Sequence, residues 1–330
     1  MSPTINTNPS NIFDFVVKQG NGVKGLVDSG LEIVPNLYTQ PVEIRFDARK
    51  VVIEESIPVI DFTNWDDPDV VESISNAASK WGFFQIVNHG VPLKVLEDLK
   101  AAIHSFFELP VEEKRKYLKE NSPSQSVVRY GTSFSPESEE ILEWKDFLRL
   151  GYASEDEANT FWPPIIKHQA LDYMKKSEVL IKKLFRILLK TLNTTGVGRH
   201  SDTSTLTVLL QDEIGGLYVR GIDESTDTWV HVPPIDGALI INIGDVFEAI
   251  SNGRFKSSEH QAVANRNKNR ISVPIFVTPG PDAVIGPLPQ VLENGEEEAK
   301  YKQVVYSDYL KYCFGKPHDG KKSTIEYLMT

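Results

Sequence analysis

The spacing of apolar residues along the chain changes period near Ser204. Before that point, apolar positions recur at helical intervals in several stretches. "IFDFVVKQGNGVKGLVDSGL" keeps this spacing but is broken by Gly20, Gly22 and Gly25, which predicts two short helices. "DPDVVESISNAASKW" predicts a helix between two short β-type runs, "IPVIDF" and "FFQIVNHG". A longer helix follows in "PLKVLEDLKAAIHSFFELP", with Pro92 in its first turn and Pro110 at its end, and "VEEKRKYLKE" predicts another. The longest is expected in "HQALDYMKKSEVLIKKLFRILLKTL", which puts Met174, Ile181, Leu184 and Leu188 on one stripe and keeps most of its lysines off it. From Ser204 onward the texture becomes that of strands: "STLTVLLQD", "GLYVRG", "TWVHVPP", "ALIINIG", "HQAVAN" and "RISVPIFVTP", separated by Gly, Asn, Asp and Pro turns. Many short strands at this spacing predict an antiparallel sandwich or jelly roll. "VVYSDYLKYCF" predicts a closing helix.

Composition narrows the class of protein. The chain has 330 residues, of which 40% are hydrophobic and 25% charged, enough to bury a large core or two lobes. Its formal charge of -11 argues against a general nucleic-acid binder, so an anionic substrate would need a local basic pocket. Cys313 is the single cysteine; no internal disulfide can form, and a partly buried, inert thiol is expected. The N-terminus lacks the pattern of a signal peptide, and no apolar run approaches the about 20 residues of a membrane helix. A cytoplasmic protein without nucleic-acid or membrane partners is expected.

Candidate chemistry is concentrated in the strand-rich half. His200 and Asp202 stand two apart just before a strand; period two puts both side chains on one face, able to share an ion. His260 opens "HQAVAN", a second strand from which it could reach the same centre. Two imidazoles and one carboxylate form the facial ligand set of non-haem Fe(II) oxygenases. Arg270 and Ser272 are again two apart, in "NRISVPIF". A guanidinium fork with a hydroxyl beside it suits a distal carboxylate, so the two clusters together define a site for a 2-oxo diacid. Elsewhere His89, in the turn "VNHGV", is expected to bond backbone, and His104, His168, His231 and His318 to lie on helix faces or the surface. "EIGGLYV" predicts a hairpin turn in which Gly215 and Gly216 supply positive φ. "TGVG" lacks the flanking strand and helix of a nucleotide loop, and no Ser or Cys nucleophile signature is present. The loop-rich residues 121–165, with their aromatics, are expected to line a substrate entrance.

These residues resemble the plant 2-oxoglutarate and Fe(II)-dependent dioxygenases. "IPVIDF", "WGFFQIVNHGV", "GRHSDTSTLTVLLQD", "IGGLYV", "WVHVPP", "INIGD", "SNGRFKSSEH" and "NRISVPIFV" carry the resemblance over nearly the whole chain. Within the family, the N-terminal "FDFVVKQGNGVKGLVDSGLEIVPNLYTQPVEIR" and the C-terminal "GPLPQVLENGEE", "YSDYLKYCF" and "KPHDGKK" are most similar to feruloyl-CoA ortho-hydroxylases. The resemblance implies a mixed α/β fold: a double-stranded β-helix (jelly roll) core, an N-terminal helical and α+β region, and a long supporting helix. It divides the chain into residues 1–165, containing a non-haem dioxygenase N-terminal domain at about 57–160, the helix 166–193, the Fe(II)/2-oxoglutarate core 194–280, and a C-terminal helix and tail 281–330. His200, Asp202 and His260 become the iron ligands, and Arg270 and Ser272 the holders of 2-oxoglutarate. Fe(II), 2-oxoglutarate and O2 are the implied requirements, with ascorbate as reductant. The implied reaction is ortho-hydroxylation of feruloyl-CoA, with coumaroyl-CoA as a second acyl substrate to consider, leading to the coumarin scopoletin; a monomer is expected. Two alternatives stay open: a related dioxygenase acting on a flavonoid, alkaloid or hormone, and a catalytically impaired variant.

The second alternative arises because one feature of the resemblance is missing. Family members insert, before the metal motif, a segment ending in an Asn-x-Tyr-x-Pro-like strand whose Tyr hydrogen-bonds the co-substrate. Here "KTLN" runs straight into "TTGVGRHSD", and "NLYTQP" at 36–41 belongs to the N-terminal region. Loss of a core strand is expected to expose sheet edge and apolar surface and to weaken activity.

Overall fold

In the computed structural model, the structure describes residues 9–31, 33–41, 45–53, 55–122, 124, 127–133, 136–191, 203–222, 226–263, 268–293, 297–314 and 324–330. The strands in chain order are β1 (Val51–Val52), β2 (Val59–Asp61), β3 (Phe83–Val87), β4 (Val128–Thr132), β5 (Asp146–Leu150), β6 (Leu206–Gln211), β7 (Leu217–Arg220), β8 (Trp229–Val232), β9 (Leu239–Ile243), β10 (His260–Ala262), β11 (Ser272–Val277), β12 (Val284–Ile285) and β13 (Val304–Val305). The chain divides into two compact units. One comprises residues 1–45 and 97–173, the other residues 46–96 and 174–330.

The first unit holds the β4–β5 antiparallel pair and the expected short N-terminal helices, Pro9–Phe13, continued as a π-helix to Lys18, and Gly22–Asp28. Ile12, Val16, Val23, Leu26, Tyr38 and Leu142 form its apolar cluster. Asp146 on β5 accepts the amide hydrogens of Val23 (2.8 Å) and Lys24 (2.9 Å), which satisfies two N-terminal donors of the helix Gly22–Asp28.

The second unit contains two larger sheets. One has the order β1-β8-β7-β10, the other β11-β6-β9-β3-β2. Both include an N-terminal strand, which a separation of the chain into a helical first half and a β second half does not anticipate. Ile57, Phe83 and Ile240, from the five-stranded side, cluster with Leu217, Val219, Val230 and Val232 of the four-stranded sheet, so the two sheets pack face to face. Directly opposed residues in an antiparallel pair share a face. The pairs Gln85↔Ile240, Leu209↔Ile240 and Pro274↔Leu209 therefore lie inward, as do Phe83, Asn242, Thr207 and Phe276 one rung away. Both faces of β9 and of Phe83–Ile86 are buried, as the continuous apolar runs require. Gly82 enters β3 with φ +63°, and a Cβ there would stand 1.9 Å from the Lys256 carbonyl oxygen, so only glycine fits.

The longest helix spans Pro164–Thr191. Its buried stripe runs through Tyr173, Ser177, Leu180, Leu184, Ile187 and Leu188, while Met174 and Ile181, expected on it, are only half-buried. The sequence pattern mistook one flank of the stripe for its centre, because Ser177 occupies a core position with a polar side chain. Among the described residues β11 pairs only with β6, and its inward-facing Pro274 and Phe276 are exposed, Phe276 to 55%. No helix of the described residues is long and apolar enough to cross a membrane.

Candidate active site

His260 begins β10 opposite Val219, which in turn opposes Val230, so its imidazole faces the space between the sheets. Its ring lies 5.0 Å from that of Phe83 on the opposite sheet. The approach to His260 is packed into the fold: Phe255, Lys256, Ser257 and Ser258 are buried. The Lys256 amide donates to Ala78 O, and Ser258 Oγ to Trp81 O. Ser257 donates its amide to Glu248 Oε2 (2.7 Å) and its hydroxyl to Asp245 Oδ1 (2.8 Å). His260 Nδ1 lies 3.2 Å from Ser258 O, the backbone contact that commonly orients a ligand histidine so that Nε2 meets the metal.

Arg270 precedes β11, and Ser272 opens it opposite Gln211. The guanidinium donates from Nε to Gly215 O (2.7 Å) and from one terminal nitrogen to Ser272 Oγ (2.9 Å). The structure therefore brings together the two residues that the sequence pairs by spacing. Burial lowers the Arg270 pKa, an effect opposed by the nearby Asp212 carboxylate. Asp212 accepts the Ile214 amide (3.1 Å) on one oxygen and the Ile271 amide on the other, tying the β6–β7 turn to the residue between Arg270 and Ser272. Gly215 (φ +71°) and Gly216 (φ +92°) make this turn, as expected, and bring Gly215 O to Arg270. Sequence reasoning missed Asp212: "LLQD" reads as a strand end, and nothing local shows which distant amide its carboxylate meets.

His200 and Asp202 lie outside the described residues, and among those described no three His, Cys, Asp or Glu side chains converge on a possible ion. The donor chemistry that is described fits the implied groups. An oriented imidazole faces the interior, and a guanidinium joined to a hydroxyl suits a carboxylate. The same interior holds Gln85 and Gln211, whose four side-chain polar atoms are buried without a hydrogen-bond partner among the described residues, capacity that a polar guest can satisfy.

The remaining histidines take other roles. His89 donates from Nε2 to Gly237 O (2.8 Å) and accepts the Val91 amide on Nδ1 (3.2 Å). Burial lowers its pKa, so it is a neutral turn residue, as expected. His104 and His168 are exposed on helices, whereas His231 is half-buried on β8 beside the Tyr218 ring and is a strand residue; His318 lies outside the described residues. Cys313 is partly buried, as expected.

Two facing sheets with an inward histidine and an Arg–Ser pair define the class: a double-stranded β-helix oxygenase. The non-haem dioxygenase N-terminal family (from morphine synthesis) matches residues 57–168, and the 2OG-Fe(II) oxygenase superfamily matches residues 182–279. A feruloyl CoA ortho-hydroxylase of Ipomoea batatas is 54% identical over 350 positions, covering 96% of each chain. A bi-functional coumaroyl CoA and feruloyl CoA ortho-hydroxylase of Ruta graveolens is 51% identical over 96% of this chain and 95% of its own. The crystal structure of JOX2 in complex with 2OG, Fe and JA superposes with a TM-score of 0.78 at 27% identity, covering 93% of this chain and 97% of that one. The chain belongs to the plant branch of the 2OG-Fe(II) oxygenase superfamily. It is accordingly an oxidoreductase that uses Fe(II) and 2-oxoglutarate. The alignment with the Ipomoea relative spans 350 positions, more than the 330 residues of this chain, so the relative carries residues with no counterpart here.

Proposed function

We propose that this protein hydroxylates feruloyl-CoA at the ring position ortho to its side chain, with coumaroyl-CoA as a second substrate. The observation that carries the reading is 54% identity to a feruloyl CoA ortho-hydroxylase over 96% of both chains. The likeness to the bi-functional Ruta enzyme supports the second acyl group. His200, Asp202 and His260 would hold Fe(II), and Arg270 with Ser272 would hold the distal carboxylate of 2-oxoglutarate. Bound together with O2, these groups supply the oxidising chemistry that hydroxylates the ring while 2-oxoglutarate becomes succinate and CO2. The protein's part is to orient the acyl-CoA ring toward the metal and to keep the co-substrate carboxylate anchored. The hydroxylated acyl-CoA then isomerises and lactonises with loss of CoA, giving scopoletin.

Ascorbate as reductant, a cytoplasmic monomer without nucleic-acid or membrane partners, and the division 1–165, 166–193, 194–280 and 281–330 complete the reading. The basic side chains that could form a mouth for the acyl-CoA polyanion are Arg129 and Lys145, or Lys316, Lys321 and Lys322. Of these, Arg129 lies over the Phe147 ring (5.7 Å) and Lys145 is paired with Glu143 (2.9 Å), while the three C-terminal lysines are outside the described residues.

The test is anaerobic reconstitution with Fe(II), then O2 in the presence of 2-oxoglutarate, ascorbate and feruloyl-CoA, following succinate and scopoletin together. Coupled formation of both is expected. Succinate coupled to hydroxylation of a flavonoid, alkaloid or hormone, with feruloyl-CoA untouched, would overturn the substrate. A second reading, an impaired enzyme, is favoured by the relatives' extra residues. It predicts turnover only after the missing segment is restored.

A further inference from the structure

The β6–β11 register sets the Cα of Gln211 directly opposite that of Ser272 on the inward face. Side chains paired in this way stand about 5 Å apart at Cβ, so an anion held at the Ser272 hydroxyl is within reach of a glutamine amide. Gln211 Nε2 and Oε1 are both buried and have no hydrogen-bond partner among the described residues. The backbone on either side cannot relax to relieve them: Asp212 pins Ile214 and Ile271, and the ladder holds the residues before. Arg270 spends Nε on Gly215 O and one terminal N–H on Ser272 Oγ; the rest of its fork has no hydrogen-bond partner among the described residues. Donors from two residues, without a partner among those described, thus stand beside one hydroxyl in a half-buried corner of the interior, which is the chemistry of a carboxylate receptor.

We propose that Gln211 is a third residue contacting the co-substrate, its amide donating to the distal carboxylate of 2-oxoglutarate beside Arg270 and Ser272. This rests on the reading of the site as a 2-oxoglutarate site. It also places a hydrogen-bond donor at the carboxylate in a chain whose sequence lacks the segment with the family's co-substrate tyrosine.

The test compares 2-oxoglutarate with 2-oxobutyrate, which keeps the 2-oxo acid head but ends in a methyl group. Binding is measured calorimetrically, without O2, on the full chain loaded with Mn(II). Gln211→Leu is expected to weaken 2-oxoglutarate about tenfold and to leave 2-oxobutyrate within about twofold. Gln211→Glu is expected to weaken 2-oxoglutarate further, because a carboxylate would face a carboxylate. The melting temperature of the metal-free Gln211→Leu chain should equal or exceed the parent's, since an unpaired buried amide has been removed. A structural glutamine would instead lose stability and leave the ratio of the two affinities unchanged, and that result overturns the proposal. Should Gln211→Leu fail to fold, Gln211→Asn, whose amide is one methylene too short to reach, is expected to shrink the same ratio. If the parent chain binds neither 2-oxo acid, the reading of the site fails and takes this inference with it. If the parent discriminates and the variants do so equally well, the inference alone falls.

Discussion

At Arg270, two effects act on one guanidinium. Burial disfavours its charge and the Asp212 carboxylate partly offsets this, so the residue can sit half-buried and still offer a cationic fork. Asp212 also spends both oxygens on backbone amides, those of Ile214 and Ile271. Asparagine would keep one acceptor and place an NH2 group against the other amide. Asp212→Asn is therefore expected to lower unfolding stability by about 1–3 kcal/mol, read as a lower urea midpoint. It should also weaken 2-oxoglutarate binding, because Ile271 lies between the two clamp residues. Unchanged binding in a destabilised variant would show that Asp212 holds the turn but not the clamp. None of this is visible in the string "LLQDEIGG", which announces a turn through Gly215 and Gly216 but not the strand, 59 residues onward in chain separation, that the carboxylate reaches.

At the scale of elements, the short helix Asp245–Ile250 joins the C-terminal segment to the approach of His260. Glu248 accepts from Tyr301 and from the Ser257 amide; Asp245 accepts from Ser257, Tyr309 and Thr324. Both carboxylates are buried, to 1% and 0% exposure, so their charges carry a desolvation cost. Burial pushes the Glu248 pKa up to about 8 from 4.5, and the hydrogen bonds from Tyr301 and Ser257 and the charge of Lys256 oppose this while Asp245 adds to it. The folded chain therefore keeps a proton that the unfolded chain releases near pH 4.5. The stabilisation is complete below pH 4.5 and is lost as pH rises to about 8. Within that window Glu248 contributes a slope of up to about 1.4 kcal/mol per pH unit. Glu248→Gln should flatten it, raising stability relative to the parent at the alkaline end, as measured by urea unfolding across the window. Parallel curves for parent and variant would show that Glu248 is ionised throughout. The sequence pattern identified the closing helix, but not that its Tyr309, and Tyr301 ahead of it, end on these carboxylates.

At the scale of the molecule, the surface of β11 bears on the segment that the sequence lacks before the metal motif. Inward-facing Pro274 and Phe276 are exposed on a strand that pairs on one side only among the described residues. Apolar surface left in water forgoes roughly 25 cal/mol per Å2 of burial, and an unpaired edge invites association with another chain. Inserting the family segment between Asn193 and Thr194 is expected to raise the melting temperature by several degrees and to increase 2-oxoglutarate turnover. A melting temperature and turnover equal to the parent's would show that the described sheets need no further strand.

Local periodicity, which depends only on neighbours along the chain, was enough to place most helices and strands, the Gly215–Gly216 turn, the backbone-bonded His89 and the two-residue spacing that joins Arg270 to Ser272. It also carried the family resemblance, because those motifs are contiguous. Tertiary structure alone decided that β2 and β3 complete a sheet with β9, that Gln211 faces Ser272, that Asp212 holds Ile271 and that Ser257 hangs from Glu248 and Asp245. Each of these joins residues far apart in the chain. Which partner a buried hydrogen-bonding group meets is set by strand register and the closure of long loops, and these are properties of the whole packed chain rather than of any one stretch.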